Sequence, residues 1–65
     1  MAYASIRVIF RDGTEETFRA NPEAAHRGGL RLSYEPGVVR VIDEYGGARV
    51  FPLGTIKEVR ECPII

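Results

Sequence analysis

Few side chains in this sequence of 65 residues are of the types that do chemistry. It has one histidine, His26, and one cysteine, Cys62, which fall short of the nitrogen and sulfur ligands that a zinc site takes. No base lies near Cys62 in the sequence to activate its thiol. Glu15 and Glu16 are neighbours on a predicted strand, so they point to opposite faces and cannot form an acid–base pair within one chain. We therefore expect no catalytic residues, no metal and no cofactor.

The two glycine pairs, Gly28-Gly29 and Gly46-Gly47, lack the strand-to-helix context of a phosphate-binding loop. His26 lies near the end of a predicted short helix, where the helix dipole favours a basic side chain without any catalytic role. We expect that the protein is not an enzyme.

Arginine is the residue type that stands out. Eight of the nine basic residues are arginines, Lys57 is the only lysine, and nine acidic residues bring the formal charge to zero. A neutral chain is not a polyanion binder driven by bulk charge. The planar guanidinium nevertheless suits specific contacts with carboxylates and phosphates, so the positions of the arginines in the fold matter.

The elements that must position these arginines are short strands. Apolar residues alternate with polar ones, and Asp-Gly, Pro-Gly and Gly-Gly steps separate the alternating runs. This pattern predicts an all-β fold, a five- to six-stranded antiparallel meander that is strongly curved or forms a small barrel. The predicted strands are Ala4–Phe10, Thr14–Ala20, Leu30–Tyr34, Val38–Glu44 and Ala48–Leu53.

Two segments do not follow this pattern. Asn21 and Pro22 predict the start of a short helix at about residues 22–27, and Gly28 predicts its end. In the tail, Thr55 and Glu58 have the spacing of a capping box, so residues 55–61 form either a helical turn or a last strand.

The turn at Asp12-Gly13 decides which residues share a face. A two-residue turn would scatter the apolar residues, whereas a three-residue loop with Gly13 in the left-handed conformation pairs Ile6 with Phe18. We predict the three-residue loop, which gathers Ile6, Val8, Phe10 and Phe18 on one face.

The two later hairpins extend this reasoning. The Pro36-Gly37 turn pairs Tyr34 with Val39 and Leu32 with Val41, and adds all four to the core face. A tight turn at Gly46-Gly47 would set Phe51 opposite Ile42 and Glu44 opposite Arg49. Under that register Phe51 and Ile42 lie on the face opposite the core face. Closure of the sheet into a barrel, or a second subunit, would then cover them.

The second face then carries most of the arginines, and we predict an interaction surface there. The leading interpretation is a non-catalytic module that binds a second copy of itself or another protein. The alternative is a small β domain that binds nucleic acid through the arginines, although stacking partners for bases are scarce. The predicted surface residues are Arg7, Arg19, Arg31, Arg40, Ile42 and Phe51.

Length and hydropathy complete the prediction. The chain reads as one domain, residues 1–65, and a core of this size stabilises a fold by only about 3–5 kcal/mol, so self-association would help. The first residues show no signal-peptide pattern, and no apolar run approaches about 20 residues. We therefore expect a cytoplasmic protein with no membrane partner.

Overall fold

The computed structural model describes residues 3–21 and 28–63. They form six short β-strands and one 3-10 turn, which confirms the all-β prediction. The helix predicted at about residues 22–27 lies outside the described residues. In chain order the strands are β1 (Tyr3–Phe10), β2 (Glu15–Arg19), β3 (Arg31–Glu35), β4 (Val38–Ile42), β5 (Ala48–Pro52) and β6 (Ile56–Pro63), with the 3-10 turn at Leu53–Thr55.

The strands form two antiparallel sheets and, within the described part of the chain, no closed barrel. Sheet A has the order β2-β1-β6, and sheet B has the order β3-β4-β5. A backbone bridge joins them, in which Tyr3 and Leu30 exchange N–H···O bonds of 2.7 and 3.0 Å. Sheet A therefore consists of the first two strands and the last one, and sheet B consists of the three strands between them.

The core lies between the inner faces of the two sheets. Phe51 of sheet B meets two rings of sheet A edge-on, with centroid distances of 5.5 Å to Phe10 and 6.1 Å to Phe18. Such edge-to-face contacts add to the stabilisation from burial itself. The buried core residues are Ile6, Val8, Leu30, Val39, Val41, Phe51 and Ile56.

The first hairpin has the predicted three-residue loop. Gly13 has a φ of 93°, and the Phe10 amide donates to the Thr14 carbonyl at 2.8 Å. Ile6 therefore pairs with Phe18, as predicted. Asp12 stabilises the loop, because its Oδ1 accepts hydrogen bonds from the Thr14 amide (2.9 Å) and hydroxyl (2.6 Å). These bonds, chiefly the one from the hydroxyl, lower the pKa of Asp12.

The second hairpin also has its predicted register, with Tyr34 opposite Val39 and Leu32 opposite Val41. Val39 and Val41 are buried and Leu32 is half-buried. Tyr34 departs from the prediction, since it is 59% exposed and lies beyond the edge of the core. Partial burial and then the charge of Glu61 raise the pKa of its phenol.

The alternative for the tail is resolved in favour of the strand. After the 3-10 turn, β6 runs antiparallel to β1 and sets Val59 opposite Val8 and Ile56 opposite Phe10. Ile56 is thereby buried, so the last strand completes the core at the end of sheet A.

Candidate functional site

The six residues predicted to form one surface lie in three places. The inner faces of the sheets pack against each other, so the two outer faces lie on opposite sides of the molecule. A single six-residue surface therefore does not form. Arg7 and Arg19 lie on the outer face of sheet A, Arg31, Arg40 and Ile42 lie on the outer face of sheet B, and Phe51 lies in the core.

The prediction for Phe51 is wrong because the register of the last hairpin differs from the predicted one. Ile42 pairs with Ala48 rather than with Phe51, a shift of three residues (51 − 48), and Phe51 pairs with Val39. A shift by an odd number of residues moves every side chain of a strand to the other face. Phe51 is consequently 7% exposed and unavailable to a partner.

Asp43 stabilises the turn that goes with this register. Its Oδ1 accepts hydrogen bonds from the amides of Tyr45 (2.9 Å) and Gly47 (2.8 Å), and its own amide donates to the Gly47 carbonyl at 2.8 Å. Gly46 takes a φ of 89° inside the turn. An aspartate at the start of a turn is known to bond to backbone amides downstream, and this is the signal that could have given the longer loop from sequence.

The predicted ion pair between Glu44 and Arg49 does not form. Glu44 is buried and accepts a hydrogen bond from the Asn21 amide at 2.9 Å. Arg49 instead reaches sheet A, where its Nη2 lies 3.2 Å from Glu16. Its guanidinium also lies 5.3 Å from the centroid of the Phe51 ring, within the range of a cation–π contact. Arg49 therefore covers the core where β2 and β5 meet.

The outer face of sheet B combines apolar and charged residues. In its middle Arg40 forms an ion pair with Glu35, with a distance of 3.1 Å from Nε to Oε2. Both side chains are partly exposed, so the pair contributes no more than about 1 kcal/mol to stability. The face consists of three cross-strand rows, which are Arg31, Ile42 and Ala48, then Ser33, Arg40 and Val50, then Glu35, Val38 and Pro52.

The apolar members of this face are partly open to solvent. Val50, at the centre of β5, is 50% exposed, and Val38 and Ile42 are half-buried. Arginine beside apolar residues is a composition that protein interfaces favour. The outer face of sheet B is therefore a candidate protein-binding surface.

The free edge of β5 is a weaker candidate. Hydrogen-bonded and non-hydrogen-bonded pairs alternate along an antiparallel pair of strands. The backbone bonds between Asp43 and Gly47 and between Leu53 and Gly37 fix this alternation, so the polar backbone groups of Ala48, Val50 and Pro52 point away from β4. Pro52 has no N–H, and its carbonyl accepts a hydrogen bond from the Thr55 hydroxyl at 2.8 Å. A strand added at this edge would find only two residues to pair with.

The outer face of sheet A carries a cluster of arginines that includes one that the sequence analysis missed. Arg60 of β6 lies directly opposite Arg7 of β1, and Arg19 lies in the adjoining row. The signal for Arg60 in the sequence is Val59, because a strand with Val59 facing the core places its neighbour Arg60 on the outer face. The three rows of the face are Arg19, Ser5 and Cys62, then Thr17, Arg7 and Arg60, then Glu15, Ile9 and Glu58.

A shallow groove of about 250 Å³ lies on this face. Arg60 donates a hydrogen bond from Nε to Glu58 at 2.8 Å, which raises the pKa of the guanidinium. The Nε of Arg7 lies 3.9 Å from Glu15. The groove is lined by Ser5, Arg7, Thr17, Arg19, Arg60, Glu61 and Cys62.

Residues 3–21 and 28–63 contain no group of three or more His, Cys, Asp or Glu side chains placed to hold a metal ion. Cys62 is exposed, and His26 lies outside the described residues. No helix in the described part of the chain has the length and apolar character needed to cross a membrane. The chain matches no protein-family model, no curated protein and no solved structure.

Proposed function

We propose that this chain is a non-catalytic interaction module that associates with a second copy of itself through the outer face of sheet B. The observation that supports this proposal is the Arg40–Glu35 ion pair bordered by Val38, Ile42 and Val50. Apolar residues beside a charge pair supply contact area and orientation together.

The charges on this face are self-complementary. The Arg40–Glu35 pair is a dipole in the plane of the sheet. A two-fold axis that lies in the interface, perpendicular to the strands and between the row of Arg40 and the row of Glu35, reverses the component of this dipole along the strands in the second copy. Each Arg40 then lies between its own Glu35 and that of the other copy. A two-fold axis through Arg40 itself would bring two like charges together, so we expect an offset arrangement in which Val50 meets Pro52 of the second copy.

The size of the face limits the affinity. With strands about 4.8 Å apart and a rise of about 3.3 Å per residue, five residues on three strands cover roughly 240 Å². A standard stable interface buries about 800 Å² on each partner. The proposed dimer is therefore a weak one, with a dissociation constant in the micromolar range or above.

Sedimentation velocity between about 10 µM and 1 mM tests the proposal. We expect the sedimentation coefficient to rise with concentration, and Val50→Glu to abolish the rise because it places a charge in the apolar part of the face. Thr17→Glu is the matched control, since Thr17 is also a β-branched, exposed residue at the centre of an edge strand, but on sheet A. A strict monomer throughout, or equal effects of the two changes, would overturn self-association.

The second candidate function, nucleic-acid binding by Arg7, Arg19, Arg31 and Arg40 together, loses its predicted surface. These four arginines are divided between opposite faces, so one strand of nucleic acid would not contact all of them. Arg7 and Arg19 remain together and are joined by Arg60.

A further inference from the structure

We propose that Arg7, Arg19 and Arg60 form a binding site for a phosphate group in the groove on the outer face of sheet A. This site lies on the opposite side of the molecule from the proposed self-association face and does not depend on it. Three features support the site: the strand register, the free donors of the three guanidinium groups, and the shape of the groove.

The register brings like charges together. Arg7 and Arg60 are direct cross-strand partners, a relationship that places their Cβ atoms about 5 Å apart. Arg19 is opposite Ser5, so it is the diagonal neighbour of Arg7 at roughly 7–8 Å. Like charges directly opposite each other destabilise a sheet, and an anion bound between them would offset that repulsion.

The acidic neighbours leave most of the arginine donors free. Glu58 and Glu15 contact Arg60 and Arg7 at Nε, on the side of the next row. Among the described residues, no carboxylate lies within ion-pair distance of Arg19, and the Nη groups of the three arginines donate no hydrogen bond. A guanidinium can present two parallel N–H groups to the oxygens of one phosphate, which is the strongest form of this contact.

The short side chains between the arginines make room for the ligand. Ser5, Thr17 and Cys62 form the low part of the groove, and the two hydroxyls can donate hydrogen bonds. The volume of about 250 Å³ is below the range of pockets for drug-sized molecules, and none of the seven lining residues is aromatic. The site therefore recognises the phosphate itself and offers no ring on which a base could stack.

Glu61 is the one acidic residue that lines the groove. It pairs in register with Ile6, whose side chain lies on the inner face, and its interaction with the Tyr3 phenol raises the pKa of Tyr3. Three arginines and one carboxylate thus line the groove, while Glu15 and Glu58 contact Arg7 and Arg60 from the next row.

Nuclear magnetic resonance with the full chain tests the site. Inorganic phosphate should produce saturable shifts of the Nε–H signals of Arg7, Arg19 and Arg60, and sodium chloride at the same ionic strength should not. Arg60→Gln should weaken phosphate binding by about tenfold, as expected for the loss of one good guanidinium contact. Arg60→Lys keeps the charge but lacks the planar group, so its affinity for phosphate should lie between that of the wild type and that of Arg60→Gln.

The controls separate the possible outcomes. Arg31→Gln, on the opposite face, should leave phosphate binding unchanged, and so should Val50→Glu, which tests the self-association face. An oligothymidine of about 12 nucleotides that competes with phosphate, with a steep dependence on salt, would identify the phosphate as that of a nucleic acid backbone. Phosphate binding without such competition would identify a small phosphorylated molecule. Shifts no larger than those with sodium chloride, or equal losses from Arg31→Gln and Arg60→Gln, would overturn the proposal.

Discussion

Phe51 lies directly opposite Val39 across β4 and β5, and this pairing points its ring at Phe10 and Phe18 of sheet A. The ring thereby links the inner faces of both sheets. The sequence pattern assigns Phe51 to a binding surface, whereas in the structure its ring makes contacts that hold the two sheets together.

We expect Phe51→Ala to destabilise the fold by about 3–5 kcal/mol, the usual cost of deleting a large buried ring. A core in a domain of this size contributes about the same amount, so the variant should be largely unfolded at room temperature. Urea denaturation followed by circular dichroism measures the change. Val50→Ala is the control. Val50 is the neighbour of Phe51 in the sequence, but its side chain is half-exposed on the outer face, so its truncation should cost less than about 1 kcal/mol. Similar losses for both variants would show that Phe51 is not in the core.

Gly13→Val should cost about 1–3 kcal/mol, because a β-branched residue resists the φ of 93° in the first hairpin. A Cβ at this position would meet no other atom within 4 Å, so the loss comes from backbone strain alone. Thermal denaturation of Gly13→Val and Gly54→Ala provides the comparison. Gly54 also has open space around it but an ordinary φ, so its change should be close to neutral. A neutral Gly13→Val would contradict the left-handed conformation.

The Asp12 carboxylate should make the stability of the first hairpin depend on pH. Hydrogen bonds from Thr14 lower the pKa of Asp12 in the folded state from its ordinary value of 3.8. The stabilisation is therefore present above that value and is lost as the pH falls through the lowered pKa. Asp12→Ala should destabilise the protein at neutral pH and have a smaller effect in strong acid.

A carboxyl titration by nuclear magnetic resonance measures the same effect directly. Thr14→Ala removes the hydroxyl donor and should raise the pKa of Asp12 toward 3.8. An Asp12 pKa that is the same in the wild type and in Thr14→Ala would show that the hydroxyl contact does not form in solution.

A charge-swap experiment examines the proposed dimer more specifically than a single substitution. Arg40→Glu makes the centre of the outer face of sheet B acidic, and Glu35→Arg makes it basic, so each variant alone should repel its own copies. An equal mixture of the two should associate at least as well as the wild type, because every cross-copy contact between these positions becomes attractive. Sedimentation velocity of the separate variants and of the mixture gives the answer. If the mixture stays monomeric while the wild type associates, the Arg40–Glu35 contact is not at the interface.

Local sequence determined the first five strands and two of the three hairpin registers. Gly13 can adopt a positive φ at little cost, and Pro36-Gly37 favours a tight turn, so each turn sets which residues pair on either side of it. Because side chains alternate along a strand, those registers were enough to place Ile6, Val8, Val39 and Val41 on core faces.

The tertiary structure decided how strands that are not joined by a hairpin pair with each other. Whether the strands share one sheet or divide into two depends on which edges pair, and nothing local to β6 indicates that it pairs with β1. That pairing brings Arg60 opposite Arg7, residues more than fifty positions apart in the chain. The division into two sheets likewise sends Arg7 and Arg31 to opposite sides of the molecule.

The last hairpin shows that a small error in the predicted length of a turn changes a candidate site. The hydrogen bonds of Asp43 to two downstream amides lengthen one turn, and a shift of three residues moves Phe51 from the surface to the core. Sequence alone establishes that β5 is a strand, because its composition and the flanking glycines are local properties. Which face of β5 is buried depends on a register set by the turn, and the aromatic contacts with Phe10 and Phe18 stabilise that register only after both sheets have formed.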